Sequence, residues 1–183
     1  MLIDPSESTL LIVDIQEKLF SKIENSKSLL SVVERALLVF KVMGTPIVYS
    51  EQYPKGLGLT ISSLRENLSD TKSVKIEKTS FACFSKEDKI IKAQDFIKSK
   101  QVIICGIETH ICVLQTALDL IIQGYEVFVL NEGVGSRSKD DNFLAFQRLR
   151  KNNVSIVSIE MLVFELVRNS EHKHFKELSK LIK

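Results

Sequence analysis

The 183-residue sequence has little net charge, no long apolar run and no flexible linker. Its formal net charge is only +2 and its lysines and arginines are scattered, which argues against nucleic acid or an anionic membrane as partner. Apolar residues make up 44% of the chain, yet no apolar run is long enough to cross a bilayer. No repeat, low-complexity tract or Pro/Gly-rich stretch divides the sequence, so residues 1–183 are expected to form one domain.

Cysteines are also few, and acidic residues stand near the start of the chain. The three cysteines cannot all pair with one another, and Cys105 lies within an apolar run, as expected of a buried free thiol in a reducing compartment. Asp4 and Glu7 occupy positions where a secretory signal peptide would carry positive charge. We therefore expect a cytoplasmic protein.

Short apolar runs alternate with helical patterns along the whole chain. Because the apolar runs are nearly continuous, they indicate a parallel sheet that is covered on both faces. This predicts an α/β protein with a three-layer α/β/α Rossmann-like fold and a mostly parallel six-stranded sheet. The predicted strands are "STLLIVDI" (8–15), "PIVYSEQ" (46–52), "SVKIEKT" (73–79), "QVIICG" (101–106), "YEVFVLN" (125–131) and "VSIVSIE" (154–160).

Helices are predicted between these strands and after the last one. They cover 26–43 before Gly44, 85–100 with Ser85 as the N-cap, 109–123 before Gly124, and about 138–151, with one or two closing helices. In such folds, ligands bind beyond the carboxyl ends of the strands, near the point where the strand order reverses. The residues at those ends are therefore the candidates for function.

Three strand ends carry side chains suited to covalent catalysis. Asp14 closes the first strand, Lys78 lies at the end of the third, and Cys112 follows the fourth in "CGIETHICV". Thr109 is expected to cap the next helix, placing Cys112 in its first turn, where free backbone amides and the helix dipole favour a thiolate. Together they describe a base, a cation and a nucleophile. Taken singly, each also has a structural interpretation: a capped strand end, an exposed lysine and an inert buried thiol.

These motifs resemble the isochorismatase-like cysteine hydrolases over nearly the whole chain. The resemblance rests on "LLIVDIQEKLF", the lysine of "VKIEKTSF" and "CGIETHICVLQTALDLIIQGYEV", while "SEQYPKGLG" and "GVGSRS" are similar to the isochorismatase-domain-containing subgroup. It implies a triad with Asp14 as the general base, Lys78 as the electrostatic partner and Cys112 as the nucleophile. It also implies a cis peptide between Ile107 and Glu108, and an oxyanion hole formed by the backbone amides of Glu108 and Cys112.

The implied activity is metal-independent hydrolysis of a small amide-, imide- or ester-like substrate, without a cofactor. The resemblance also implies a homo-oligomer, for which the apolar helix "EMLVFELV" is a candidate interface. The side chains expected to line the substrate pocket, chosen for their spacing from the triad, are Gln16, Phe20, Tyr53, Phe81 and Ile111.

Other functions stay open at this point. The nicotinamidase branch binds zinc through an Asp-x-His after the second strand, but here the stretch is "YSEQYP", so neither a metal nor nicotinamide is expected. Isochorismatases proper cleave a vinyl ether without needing the thiol, and the retained Cys112 favours amide, imide or thioester chemistry without deciding the matter. A non-catalytic scaffold that has kept the fold is a further alternative. A dinucleotide-binding oxidoreductase is disfavoured, because "DIQEKLF" lacks the Gly-x-Gly-x-x-Gly turn.

Three more residues near these motifs have roles that the sequence leaves undecided. His110 has no second histidine nearby, which favours a role in shaping the pocket or a local hydrogen bond over a metal ligand. Arg137, in "GVGSRS", is interpreted as half of a loop or interface ion pair rather than as a ligand for a substrate carboxylate. Cys83 is interpreted as a semi-buried thiol, although it lies close to Lys78 in the sequence.

Overall fold

The computed structural model describes residues 1–84 and 93–182, and it confirms the predicted α/β fold. The strands are β1 (Ser8–Val13), β2 (Ile47–Gln52), β3 (Val74–Lys78), β4 (Gln101–Ile107), β5 (Glu126–Gly135) and β6 (Ser155–Val157). They form one six-stranded sheet with the order β3-β2-β1-β4-β5-β6, and neighbouring strands pair in parallel. The order reverses between β1 and β4, which is where a ligand site is expected.

Helices flank the sheet, and those at Ser26–Met43, Leu114–Ile122 and Lys139–Lys151 lie where helices were predicted. The short helices Glu17–Phe20, Pro54–Leu57 and Ser62–Ser69 were not predicted. Gly44 ends the helix Ser26–Met43 as predicted, in the left-handed conformation with φ +70°. Of the helix predicted over 85–100, only Ala93–Phe96 is described as helical, and Ser85 lies outside the described residues. Within the described ranges, no helix combines the length and apolarity needed to cross a membrane. The helices are α1 (Glu17–Phe20), α2 (Ser26–Met43), α3 (Pro54–Leu57), α4 (Ser62–Ser69), α5 (Ala93–Phe96), α6 (Leu114–Ile122), α7 (Lys139–Lys151), α8 (Ile159–Val167) and α9 (Phe175–Leu178), with 3₁₀ turns at Pro5–Glu7 and Ser179–Ile182.

The core consists of two apolar layers, one on each face of the sheet. Successive side chains of a strand point to opposite faces. In β1, Leu10 and Ile12 join the layer that contains α2 and α8, whereas Leu11 and Val13 join the layer that contains α6. Every residue of β1 is therefore buried, which explains the continuous apolar run over residues 10–13 within it.

β1 and β4 approach each other closely just before the candidate site. Gly106, which pairs with Val13, has φ +128°, and a Cβ atom there would lie 2.1 Å from the Val13 carbonyl oxygen. Only glycine fits this position. The close approach holds together the two strand ends from which Asp14 and Glu108 follow.

Candidate active site

The three residues predicted as a triad meet at the carboxyl edge of the sheet. Asp14 follows β1 with φ +49°, a left-handed conformation that aspartate tolerates better than most residues. Lys78 is the last residue of β3, and Cys112 lies in a π-helical turn, Thr109–Val113, after β4. All three are buried, with exposed fractions of 0% for Asp14, 4% for Lys78 and 6% for Cys112. A buried acid, amine and thiol from three separate strand ends thus share one site.

Asp14 and Lys78 form a fully buried ion pair. Lys78 Nζ lies 2.6 Å from Asp14 Oδ2, and both side chains are 0% exposed. Nζ also lies 2.8 Å from Gln52 Oε1, 3.3 Å from the Ser80 carbonyl oxygen and 3.1 Å from that of Phe81. An ammonium group has three N–H donors, so these acceptors occupy all of them.

Lys78 remains a cation in this setting. Burial alone lowers its pKa, but its acidic neighbours, among them the Asp14 carboxylate at 2.6 Å, outweigh burial and raise the pKa above its ordinary value. Its role is therefore that of a fixed positive charge rather than a proton donor.

The Cys112 thiol lies close enough to the Asp14 carboxylate for a hydrogen bond. Burial raises the pKa of this thiol, Asp14 raises it further, and the attraction of Lys78 offsets only part of the increase. The lowered thiol pKa expected from the sequence was therefore wrong in direction, because burial and a facing anion outweigh the helix terminus and the lysine. Cys112 rests as a thiol, and its attack on a substrate needs a base.

The turn that carries Cys112 also differs from the predicted one. Thr109 does not cap it: its Oγ1 is buried and has no hydrogen-bond partner among the described residues. The carbonyl oxygen of Glu108 instead accepts from the backbone N–H groups of Ile111 and Val113, at 3.1 and 3.2 Å. The peptide bond between Ile107 and Glu108 is cis. The oxyanion hole formed by the backbone amides of Glu108 and Cys112 stays a prediction.

Arg137 forms an ion pair within the chain, beside the candidate site. Its Nε and Nη2 atoms lie 2.9 and 2.7 Å from the two carboxylate oxygens of Glu108. These hydrogen bonds hold the pKa of Glu108 below its usual value. His110 makes a local contact, with Nδ1 2.9 Å from Ser136 Oγ. Both contacts match the local roles favoured by the sequence.

Three further residues, Ser50, Gln52 and Cys83, hold the triad, and the sequence assigned this role to none of them. Ser50 Oγ donates to Asp14 Oδ1 at 2.7 Å, and Gln52 accepts from Lys78 as described above. Cys83 Sγ lies 3.4 Å from Ser50 Oγ, and Cys83 is fully buried rather than semi-buried, with an exposed fraction of 1%. The available signal was that Ser50 and Gln52 lie at the carboxyl end of β2, which pairs with β1.

Gln16, predicted to contact substrate, is fully buried and braces two loops. Its Nε2 donates to the carbonyl oxygens of Gln52 and Gly58 at 3.0 and 2.7 Å, and its Oε1 accepts from the Gln52 N–H at 2.8 Å. Its amide is therefore engaged within the protein, and a direct contact with substrate stays a prediction.

The other four predicted pocket residues surround the site to different degrees. Tyr53 and Phe81 are both 54% exposed. The backbone N–H of Tyr53 donates to the Lys78 carbonyl oxygen, and the carbonyl oxygen of Phe81 accepts from the Lys78 ammonium. Phe20 and Ile111 are half-buried and pack against opposite layers of the core. Their contacts with a substrate also stay a prediction.

Potential metal ligands do not cluster in the described part of the chain. Across residues 1–84 and 93–182, no three side chains of His, Cys, Asp or Glu are grouped so that they could hold a metal ion. All three cysteines are free.

Comparisons with known proteins cover nearly the whole chain. The family model "Isochorismatase domain" matches residues 8–161. The chain is 37% identical to isochorismatase domain-containing protein 2A of Mus musculus, over 98% of this chain and 84% of that protein. It is similar to the structure of the MAR1 ribonuclease from Caenorhabditis elegans, with 34% identity and a TM-score of 0.92 over 100% of this chain and 92% of that one.

A more distant structure shares the fold alone. The YcaC gene product from Escherichia coli, described as an octameric hydrolase of unknown specificity, is 22% identical with a TM-score of 0.88. The match covers 100% of this chain and 89% of that one.

Proposed function

Because the chain belongs to the isochorismatase domain family, we propose that it is a cysteine hydrolase in which Cys112 is the nucleophile and Asp14 and Lys78 assist it. Its substrate is a small amide-, imide- or ester-like molecule, and neither a metal nor a cofactor takes part. The observation that carries the proposal is the buried contact between an acid, an amine and a thiol at the switch point of the sheet.

In the first half-reaction, Asp14 accepts the thiol proton as the sulfur of Cys112 attacks the carbonyl carbon. The resulting oxyanion is held by the backbone N–H groups of Glu108 and Cys112, each worth about 2.7–4 kcal/mol in comparable sites. The bond to the leaving group then breaks, and the proton on Asp14 passes to the departing nitrogen or oxygen. A thioester remains on Cys112.

In the second half-reaction, Asp14 accepts a proton from the water that attacks the thioester. The acid product departs, and the sulfur regains a proton from Asp14. Lys78 stays charged throughout, because its N–H groups are occupied and its pKa is raised. It balances the charge of Asp14 in the resting site and that of the thiolate while Asp14 is protonated.

The name of the Caenorhabditis elegans relative raises RNA cleavage as a second candidate reaction. An RNA strand needs an accessible groove and cations that are free to neutralise phosphates. Here the triad is buried, Lys78 is paired with Asp14, and Arg137 is paired with Glu108. The site therefore favours a small neutral substrate over a polyanion.

A substrate screen with cysteine variants tests the proposal. The panel contains small amides, imides, carbamoyl compounds, short esters, a vinyl ether and RNA. Release of ammonia, amine or acid is the readout for the first four classes, release of a carbonyl compound for the vinyl ether, and strand length on a gel for RNA. Cys112→Ala should lower turnover at least 10³-fold, while Cys105→Ala, which truncates another buried thiol, should not. Near-normal turnover by Cys112→Ala would remove the nucleophile, and turnover of the vinyl ether alone would favour the isochorismatase-type reaction. Failure of every compound would favour a scaffold.

We also propose that the protein is a cytoplasmic homo-oligomer. The octameric state described for the YcaC gene product supports the oligomer, and so does the exposure of Met161 and Phe164 on α8, at 48% and 44%. Both residues lie in the stretch "EMLVFELV" that the sequence marks as a candidate interface. The cytoplasmic location rests on the free cysteines alone. Sedimentation of the purified chain as a monomer at micromolar concentration would contradict the proposal.

A further inference from the structure

We propose that Ser50 and Cys83 are positioning residues that hold Asp14 in its working orientation towards Cys112. The inference rests on the proposed function, and it adds two residues that take no part in the bonds made or broken. The observation that supports it is a chain of hydrogen bonds from Cys83 through Ser50 to the Asp14 carboxylate.

Ser50 holds Asp14 through two reciprocal contacts. Its Oγ donates to Asp14 Oδ1 at 2.7 Å, and its carbonyl oxygen accepts the Asp14 backbone N–H at 3.2 Å. The other carboxylate oxygen, Oδ2, accepts from Lys78 at 2.6 Å. Because Ser50 and Lys78 hold one oxygen each, the plane of the carboxylate is fixed, and it stays facing the thiol of Cys112.

Cys83 sets the direction in which the Ser50 hydroxyl points. A hydroxyl has one hydrogen, and that of Ser50 is committed to Asp14, so the contact of 3.4 Å between Cys83 Sγ and Ser50 Oγ requires Cys83 to be the donor. Burial raises the pKa of Cys83, which keeps it a neutral thiol able to donate. With Cys83 in place, rotation of the Ser50 side chain away from Asp14 would break two hydrogen bonds, the one that Ser50 donates to Asp14 and the one that it accepts from Cys83.

Cys83 is itself anchored to the helix that follows the nucleophile. Its backbone N–H donates to Thr116 Oγ1, on α6, at 2.9 Å. The chain from Cys83 to Asp14 is thus tied to the element that continues from the turn of Cys112. Cys105 provides a contrast, because it is equally buried but only burial perturbs its thiol. Cys83 and Cys105 are thus both buried, but of these two thiols it is Cys83 that is linked to Asp14 through Ser50.

The test is the rate at which iodoacetamide alkylates Cys112 at pH 7.5, followed by peptide mass spectrometry so that each cysteine is read separately. Ser50→Ala should slow the reaction about tenfold, because Asp14 loses one of its two fixed donors. Cys83→Ala should slow it about threefold, since only the orientation of Ser50 is weakened. Cys83→Ser, which keeps a donor, should restore a rate within about twofold of wild type.

The double variant decides whether Cys83 acts through Ser50. If it does, Ser50→Ala combined with Cys83→Ala should react no more slowly than Ser50→Ala alone. A double variant whose effect is the product of the two single effects would overturn the inference. A Cys83→Ser variant as slow as Cys83→Ala would overturn it too, and this comparison holds even if Ser50→Ala fails to fold.

Two matched controls report the effect of truncation by itself. Cys105→Ala removes a buried thiol away from Asp14, and Ser8→Ala removes a buried hydrogen-bonded hydroxyl at the opposite end of β1. Both should leave the alkylation rate of Cys112 unchanged, and slowing equal to that of Cys83→Ala would count against positioning. Asp14→Asn tests the role of Asp14 as the base separately from the roles of Ser50 and Cys83 as positioning residues. It should slow the reaction, because the proposed base no longer takes the thiol proton as the sulfur attacks. A rate that is unchanged, or that rises because the charge of Asp14 only raises the pKa of the thiol, would remove the proposed base. If Asp14→Asn alone slows the reaction, the proposed base survives and the roles of Ser50 and Cys83 do not.

Discussion

Replacing Lys78 with methionine should destabilise the protein far more than the loss of an exposed lysine. The Nζ atom lies 2.6 Å from Asp14 Oδ2, and both side chains are 0% exposed, so Lys78→Met leaves a buried carboxylate without its cation. Removing one partner of such a pair costs about 3–5 kcal/mol of unfolding free energy. The Gln52 side chain and the backbone of Phe81 also lose a donor, which places the expected cost towards the upper end of that range.

Urea denaturation at pH 7, followed by circular dichroism, measures this cost. Lys139→Met is the matched control, because Lys139 pairs with Glu24 at 2.9 Å but is 78% exposed, and its loss should leave the midpoint unchanged. Asp14→Asn combined with Lys78→Met removes both charges and should cost less than the sum of the two single variants. A cost below about 1 kcal/mol for Lys78→Met, or strict additivity in the double variant, would refute the view that burial makes these two charges interdependent.

Three further predictions concern other parts of the site. Gly106→Ala should lower the free energy of unfolding by at least about 4 kcal/mol, because its Cβ would lie 2.1 Å from the Val13 carbonyl oxygen. Gly44→Ala, which has open space around it, should lower it by about 1–2 kcal/mol. Thermal denaturation measures both. Arg137→Met should destabilise the protein at pH 7, because Arg137 holds the pKa of Glu108 below its usual 4.5. The stabilisation by this ion pair is present above pH 4.5 and disappears as the pH falls through the lowered pKa. A loss of unfolding free energy in Arg137→Met that persists at the lowest pH would argue against the ion pair. Because the pKa of Cys112 is raised, its side chain should be a thiol at pH 7, so wild type and Cys112→Ala should have equal thiolate absorbance at 240 nm. A clear excess of absorbance in wild type would indicate a preformed thiolate.

The sheet and the three central residues could be predicted from the sequence because each depends on a local pattern. A continuous apolar run such as residues 10–13 indicates burial on both faces, and parallel strands bring residues that follow them to one edge. Asp14, Lys78 and Cys112 each stand at such an end, so their approach follows from topology alone.

What could not be predicted depends on register and on competition between opposing effects. Ser50 meets Asp14 because of how β2 pairs with β1, and Cys83 reaches Ser50 through a loop whose path has no sequence pattern. The pKa of Cys112 results from burial and a facing carboxylate opposing a helix terminus and a lysine, and the sequence does not show which wins. Thr109 resembles a helix cap, but the turn it opens is π-helical, and its hydroxyl finds no partner among residues 1–84 and 93–182.

Trapping with hydroxylamine tests most directly whether Cys112 carries the acyl group during turnover. Hydroxylamine competes with water for a thioester, so any amide or ester identified by the screen should yield a hydroxamate whose share of the product rises with hydroxylamine concentration. Cys112→Ala should yield none. Release of amine by the wild-type protein without any hydroxamate, or the same hydroxamate yield from Cys112→Ala, would contradict the covalent mechanism.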